Sequence, residues 1–167
     1  MPDSQTLYVI LISVVVAGAL FYFFFGRTQT EAVEKQVNSG SVSLRLQAYE
    51  RLILLVDRIA IPNLISRSSH ESLSAKEMQL VLTRNIRDEF DYNITQQIYI
   101  DPEAWNAVKN LKEKNLLMIN QVSAVLPADA SGLDLNRALL EYLMNDPNAN
   151  LPELVSEALS YEAKKLL

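Results

Sequence analysis

One histidine, His70, and no cysteine stand among the 167 residues of this chain. Chemistry that needs two imidazoles or a thiolate is therefore out of reach. That removes the paired Glu-x-x-His motifs of di-iron bundles, the His-Glu-x-x-His metalloprotease helix, thiolate zinc, iron–sulfur clusters and disulfides. His70 lies in the polar loop Ser68-Ser69-His70-Glu71-Ser72, where a solvated imidazole is the plain reading and a pH switch or lone base the sharper one. The four glycines, Gly18, Gly26, Gly40 and Gly132, are too scattered for a phosphate-cradling loop or a dinucleotide fingerprint, and no Gly-x-Ser-x-Gly elbow occurs. Asp88, Glu89 and Asp91 form the densest carboxylate cluster. On a helix Asp88 and Asp91 share a side while Glu89 points elsewhere, and with Arg84 and Arg87 nearby the cluster reads as a solvated face, not a hard-cation site. Asn93-Ile94-Thr95 matches a glycosylation sequon but falls within an expected helix. No catalytic residue, cofactor or metal is expected, and the chain reads as non-enzymatic.

Two groups of residues suit contact better than catalysis. Gln96, Gln97 and Tyr99, with Trp105 a few residues on, place amides and aromatic rings around a turn and form a candidate partner surface. The plainer role of the amides is to satisfy backbone groups at that turn. Ser13, Ala17 and Gly18 form a patch of small side chains, the arrangement that lets two helices approach closely in lipid.

The element carrying that small patch is apolar throughout. Residues 7–25, LYVILISVVVAGALFYFFF, contain no charge, and as a helix they run ~28 Å, close to a hydrocarbon core of ~30 Å. A cleaved secretory signal is opposed by the lack of Lys or Arg in MPDSQT and by the apolar run continuing past Ala17-Gly18-Ala19. The sequence thus predicts a short tail over 1–6 and a retained transmembrane helix over 7–26. Only Asp3 precedes the span, whereas Arg27, Lys35 and Arg45 follow it, so the positive-inside rule places the C-terminal part in the cytoplasm. A juxtamembrane helix or linker over 27–42, breaking at Asn38-Ser39-Gly40-Ser41, leads into a helical domain over 43–167.

That domain shows helical periodicity from end to end. Over 43–60 a wide stripe of Leu44, Ala48, Leu52, Leu55, Val56 and Ile59 predicts a central helix that Pro62 ends. Ser74-Ala75-Lys76-Glu77 is a capping box, and the helix it opens is expected to carry Met78, Leu82, Ile86, Phe90, Ile94 and Ile98 on one winding face. Asp101-Pro102-Glu103 is a second start signal, opening a helix that uses Ala104, Trp105, Val108, Leu111, Met118, Ile119, Val122 and Val125. At about 24 residues each, or ~36 Å, these two helices should form a length-matched antiparallel hairpin that frames the domain. A shorter helix with Leu135, Leu139, Leu140, Tyr142 and Leu143 follows, then a last one after Asn150 with Leu151, Leu154, Val155, Ala158, Leu159, Ala163 and Leu166 on its apolar side.

Charge narrows the partners. Residues 115–167 hold Arg137, Lys164 and Lys165 against seven acids, and no basic stripe occurs anywhere, so nucleic acid is not an expected partner. No helical repeat period recurs. Two stretches, LQAYERLILLVDRI and RNIRDEFDYNITQQIYIDPEAWNAVK, resemble an uncharacterised Bacteroidetes family of short single-span membrane proteins with a C-terminal helical domain. The resemblance implies a bacterial inner-membrane location and brings no catalytic residues. Taken together, the sequence predicts an all-α protein: one N-terminal transmembrane helix, then a helical bundle built on a long antiparallel hairpin. Its expected work is that of an adaptor or accessory subunit of an inner-membrane complex, with a protein partner or a second copy of itself and no small-molecule substrate; the alternatives are a membrane-surface enzyme using scattered carboxylates such as Asp88 and Asp91, or an envelope-facing tether.

Overall fold

The computed structural model describes residues 4–68 and 72–167, with side chains described for Tyr8, for 13–22 and from Gly40 onward. His70 lies outside the described residues. The order of elements is α1 (Ser4–Ile59), α2 (Ile61–Arg67), α3 (Ala75–Tyr92), a 3-10 turn (Ile94–Ile98), α4 (Pro102–Val125), α5 (Gly132–Asn145) and α6 (Leu151–Lys164), with no strand among the described residues. The chain divides into two compact units between residues 43 and 44.

In the first unit the backbone is helical, and the described side chains from Ser13 to Tyr22 are all exposed. Helical hydrogen bonding continues through Asn38, Ser39, Gly40 and Ser41, where the sequence predicts a break. Gly costs a helix only ~1 kcal/mol relative to Ala, and Asn and Ser less, too little to forbid it. Among the described residues no helix is long and apolar enough to cross a membrane, so the transmembrane helix expected over 7–26 finds no support there; within the 7–25 run the side chains described are those of Tyr8 and 13–22.

The second unit is built around the last turns of α1. Ala48, Tyr49, Leu52, Leu55, Val56 and Ile59 are buried there, as their helical spacing requires, while Leu44 stays half exposed. Pro62 then ends the helix for a specific reason: it has no N–H to give the Arg58 carbonyl. Side chains supply donors at the break. Arg67 Nη2 donates to the Arg58 carbonyl at 2.9 Å, Asn63 Nδ2 to the Asp57 carbonyl at 3.0 Å, and the buried Asn115 Nδ2 to the Ile59 carbonyl at 2.7 Å. Arg58 and Arg67 also converge on Glu89 of α3, at 3.2 and 3.4 Å.

The expected hairpin is present, with unequal arms. Contacts between opposite ends fix its antiparallel sense: Gln79, early in α3, bonds Asn120 and Ser123, late in α4, at 2.7 and 3.2 Å, while Phe90, late in α3, packs on Trp105, early in α4. But α3 has 18 residues against 24 in α4. Asn93 stops it. Its Nδ2 takes the Glu89 carbonyl at 2.9 Å, the acceptor a continuing helix would offer its own N–H. That N–H goes to the Phe90 carbonyl instead, tightening the chain into the 3-10 turn.

Both of the later helix starts are tied to one another. Ser74 caps α3 through a full capping box with Glu77, and Ser131 caps α5 through another with Asp134. Between them runs a two-bond antiparallel bridge, Ala75 N–H to the Ala130 carbonyl at 2.8 Å and Gly132 N–H to the Leu73 carbonyl at 2.7 Å. A Cβ at position 132 would stand 3.1 Å from that Leu73 oxygen and 3.2 Å from Met78, so glycine permits the approach. From this clamp α5 packs on α2, α3 and α4, and α6 packs on α4.

Candidate functional site

The 3-10 corner between α3 and α4 turns the sequence pattern inside out. With three residues per turn, side chains three apart eclipse one another. Asn93 and Gln96 accordingly lie on one inward side, 5 % and 8 % exposed, while Ile94 and Ile98, expected in the core by their spacing of four, emerge at 42 % and 74 %. Tyr92 is also outward, at 73 %, with the Arg51 guanidinium 5.2 Å from its ring centre. The result is an exposed apolar face on a rigid polar base.

Hydrogen bonds from α1 hold that base. Arg45 Nε donates to the Tyr99 carbonyl at 3.2 Å, and the buried Tyr49 hydroxyl accepts from the Asp101 N–H at 3.4 Å. Asp101 in turn caps α4 by accepting from the Glu103 N–H at 2.9 Å. Behind the corner, Phe90 and Trp105 pack with ring centres 5.0 Å apart, and the Lys112 ammonium lies 4.3 Å from the Phe90 ring centre.

Of the four residues expected on a partner surface, Gln97 and Tyr99 are exposed, Trp105 is half-buried against the core, and Gln96 is buried with its Nε2 donating to Thr95 Oγ1 at 3.3 Å. Gln96 therefore supports the corner from inside. Its outer face belongs to Tyr92, Ile94 and Ile98, which periodicity alone had assigned elsewhere or left unremarked. In the first unit Ser13, Ala17 and Gly18 are all exposed, Ser13 and Ala17 four apart on one side of α1, and a Cβ at Gly18 would meet nothing within 4 Å. Asp88 and Asp91 stay exposed on α3, and Asp88 pairs with Arg84 at 3.5 Å. Among the described residues no group of acidic or histidine side chains is placed to hold a metal ion.

A second feature had no sequence signal beyond one polar residue on an apolar face, Asn115. An open cavity of about 530 Å³ is bounded by α2, the middle of α4, the end of α5 and the start of α6, with Ile61, Leu111, Met118, Leu143 and Met144 among its walls. Lys114 stands at its rim, ion-paired with Asp146 at 2.9 Å. The Asp146 carboxyl is held below the usual carboxylate range, first by the Asn148 N–H and then by Lys114. This size and the apolar residues of the lining suit a bulky hydrophobic group.

No curated protein and no solved structure matches the chain. A family profile does, and it extends past the two stretches on which the sequence resemblance rests, through α5 and α6. Over residues 4–166 the chain belongs to a family of unknown function (DUF7935).

Proposed function

We propose that this protein is a membrane-anchored helical adaptor or accessory subunit of a bacterial inner-membrane complex, working by contact and not by catalysis. The observation that carries the reading is a helix whose apolar residues stay exposed: Val14, Val15, Phe21 and Tyr22 are 62–83 % accessible. In water such a face is costly, whereas lipid solvates it. The uncharged run over 7–25 extends those residues to the length of a span, with Arg27, Lys35 and Arg45 marking the cytoplasmic side. Ser13, Ala17 and Gly18 supply a surface where a second transmembrane helix approaches closely.

The contact half of the reading rests on the 3-10 corner. Tyr92, Ile94, Ile98 and Tyr99 combine large apolar area with phenolic hydroxyls and a neighbouring Arg51, the composition of interface hot spots. Purification in mild detergent tests it. A protein should co-purify with the native chain and be lost with Ile98→Glu; a native chain that runs as a lone monomer and crosslinks to nothing refutes the adaptor role. Protease added to intact spheroplasts should spare the C-terminal domain, and digestion would reverse the orientation.

A further inference from the structure

A groove runs between α6 and the α1–α2 junction. Along α6 the side chains at 152, 156, 160 and 164, with Glu153, Glu157 and Tyr161 beside them, line one wall. They succeed one another at helical spacing over most of α6, which is ~21 Å long. Val56, Asp57, Ala60 and Asn63 line the other, and the space between is about 550 Å³. The helical wall of α6 facing the corner between α1 and α2 makes a trough of the kind a third helix fills. Its narrow side chains, Ala60, Ser156 and Ser160, permit a close approach.

Two properties define the occupant. At one end the trough opens into the apolar cavity described above, which shares Ala60, Asn63, Pro152 and Glu153 with it. A bulky apolar side chain fits there, and Met144, 86 % exposed at the mouth, can repack around it. Along the trough stand three carboxylates, Asp57, Glu153 and Glu157, with no ion-pair partner among the described residues; Lys164 at the far end is the cation on the same walls. Lys114 is already matched by Asp146.

We infer that this trough is a docking site for a basic amphipathic helix of a partner protein, with its apolar side on Ala60 and in the Leu111–Met118 cavity and its Lys or Arg residues against Asp57, Glu153 and Glu157. This is the helix-in-groove mode of recognition, read by apolar anchors at helical spacing and flanking charge. The site is separate from the 3-10 corner and does not depend on the adaptor reading of that corner.

The chain has no cysteine, so one dye can be placed at will in the full-length protein, held in nanodiscs of zwitterionic lipid. Ser156→Cys labels the groove and Asp129→Cys, in the exposed loop before α5, serves as control. The probe is a synthetic amphipathic helix of ~18 residues, or about five turns, with Leu on one side and Lys on the other; its counterpart carries Glu for Lys. The dye at 156 should shift saturably to the blue with the Lys peptide, with affinity on the order of ten-fold tighter than for the Glu peptide. The dye at 129 should not move, and Glu153→Lys with Glu157→Lys should abolish the preference. Anisotropy of labelled peptide on dye-free protein should give the same order, which guards against the dye itself filling the trough. Equal binding of the two peptides, or equal shifts at 156 and 129, overturns the inference. So does a shift at 156 without peptide, whether it grows with protein concentration, as a second copy would cause, or with lipid.

Discussion

Asn115→Ala isolates what holds the chain together at Pro62. Asn115 is 3 % exposed, and its Nδ2 lies 2.7 Å from the Ile59 carbonyl. Alanine removes the donor and leaves that acceptor facing the interior, a loss of about 1–3 kcal/mol for a buried group left unsatisfied. Asn115 also lines an open cavity, so water can reach the site and the loss falls in the lower part of that range, about 1–2 kcal/mol. For a domain of this size the midpoint of thermal unfolding moves by roughly 4 °C per kcal/mol, giving a fall of about 4–8 °C. Asn63→Ala is the comparison. Asn63 Nδ2 likewise donates to a backbone carbonyl, that of Asp57 at 3.0 Å, and also to the Asp57 carboxylate at 2.8 Å, but both bonds are exposed, so water replaces them and the expected cost stays under about 0.5 kcal/mol. Melts followed by Trp105 emission and by far-ultraviolet circular dichroism, on the full chain in detergent, separate the two. Equal losses, or no loss for Asn115→Ala, would refute the role given to burial. Asn115→Asp adds a sign test. A carboxylate there has no proton to donate, so folding favours the protonated acid and raises its pKa above the unfolded value. The variant should then be most stable below the ordinary carboxylate range and lose stability as pH rises through the raised value.

Three further outcomes follow from the structure. Gly132→Ala should destabilise by about 0.5–1 kcal/mol in urea although alanine is the better helix former, because the new Cβ presses on the Leu73 carbonyl that Gly132 N–H bonds and on buried Met78; a gain in stability overturns this. Glu77 and Asp134 are held below the usual carboxylate range chiefly by the Ser74 and Ser131 hydroxyls. Their folded-state pKa values are depressed, so their contribution is complete above the ordinary carboxylate value and lost as pH falls through the depressed one. Ser74→Ala with Ser131→Ala should therefore flatten the acid limb of a stability profile, and an unchanged limb counts against the caps. Phe90→Ala should cost about 3–5 kcal/mol and shift Trp105 emission, whereas Ile98→Ser should change stability by under about 0.5 kcal/mol; comparable costs would place Ile98 in the core.

The sequence is most legible where a local rule acts alone. Ser74, Glu77, Asp101 and Pro102 mark the starts of α3 and α4, because a cap needs only residues adjacent in the chain. The second capping box, Ser131 with Asp134, obeys the same rule with a shorter acid, and Gly132 beside it masks the signal. Periodicity places Ala48 through Ile59 and Met78 through Phe90 correctly and then fails at Ile94 and Ile98. The failure has one cause: Asn93 spends its side chain on the Glu89 carbonyl, and a competition between an amide and a backbone N–H leaves no trace in hydropathy.

That same competition creates the exposed corner. Had α3 continued, Ile94 and Ile98 would have joined Phe90 against α4; the single amide of Asn93 moves them to the surface and turns Gln96 inward. At α6 the mismatch runs the other way. Its stripe of Leu151, Leu154, Val155 and Leu159 reads as core, yet only Val155 and Leu159 are buried, Leu154 is 51 % exposed, and the 152–164 side stays open toward α1. How far a helix that packs mainly on α4 covers its other flank depends on the tertiary placement of α1, which sequence pattern cannot express. Both departures from local consistency fall on surfaces suited to contact, and the proposed recognition role rests on them.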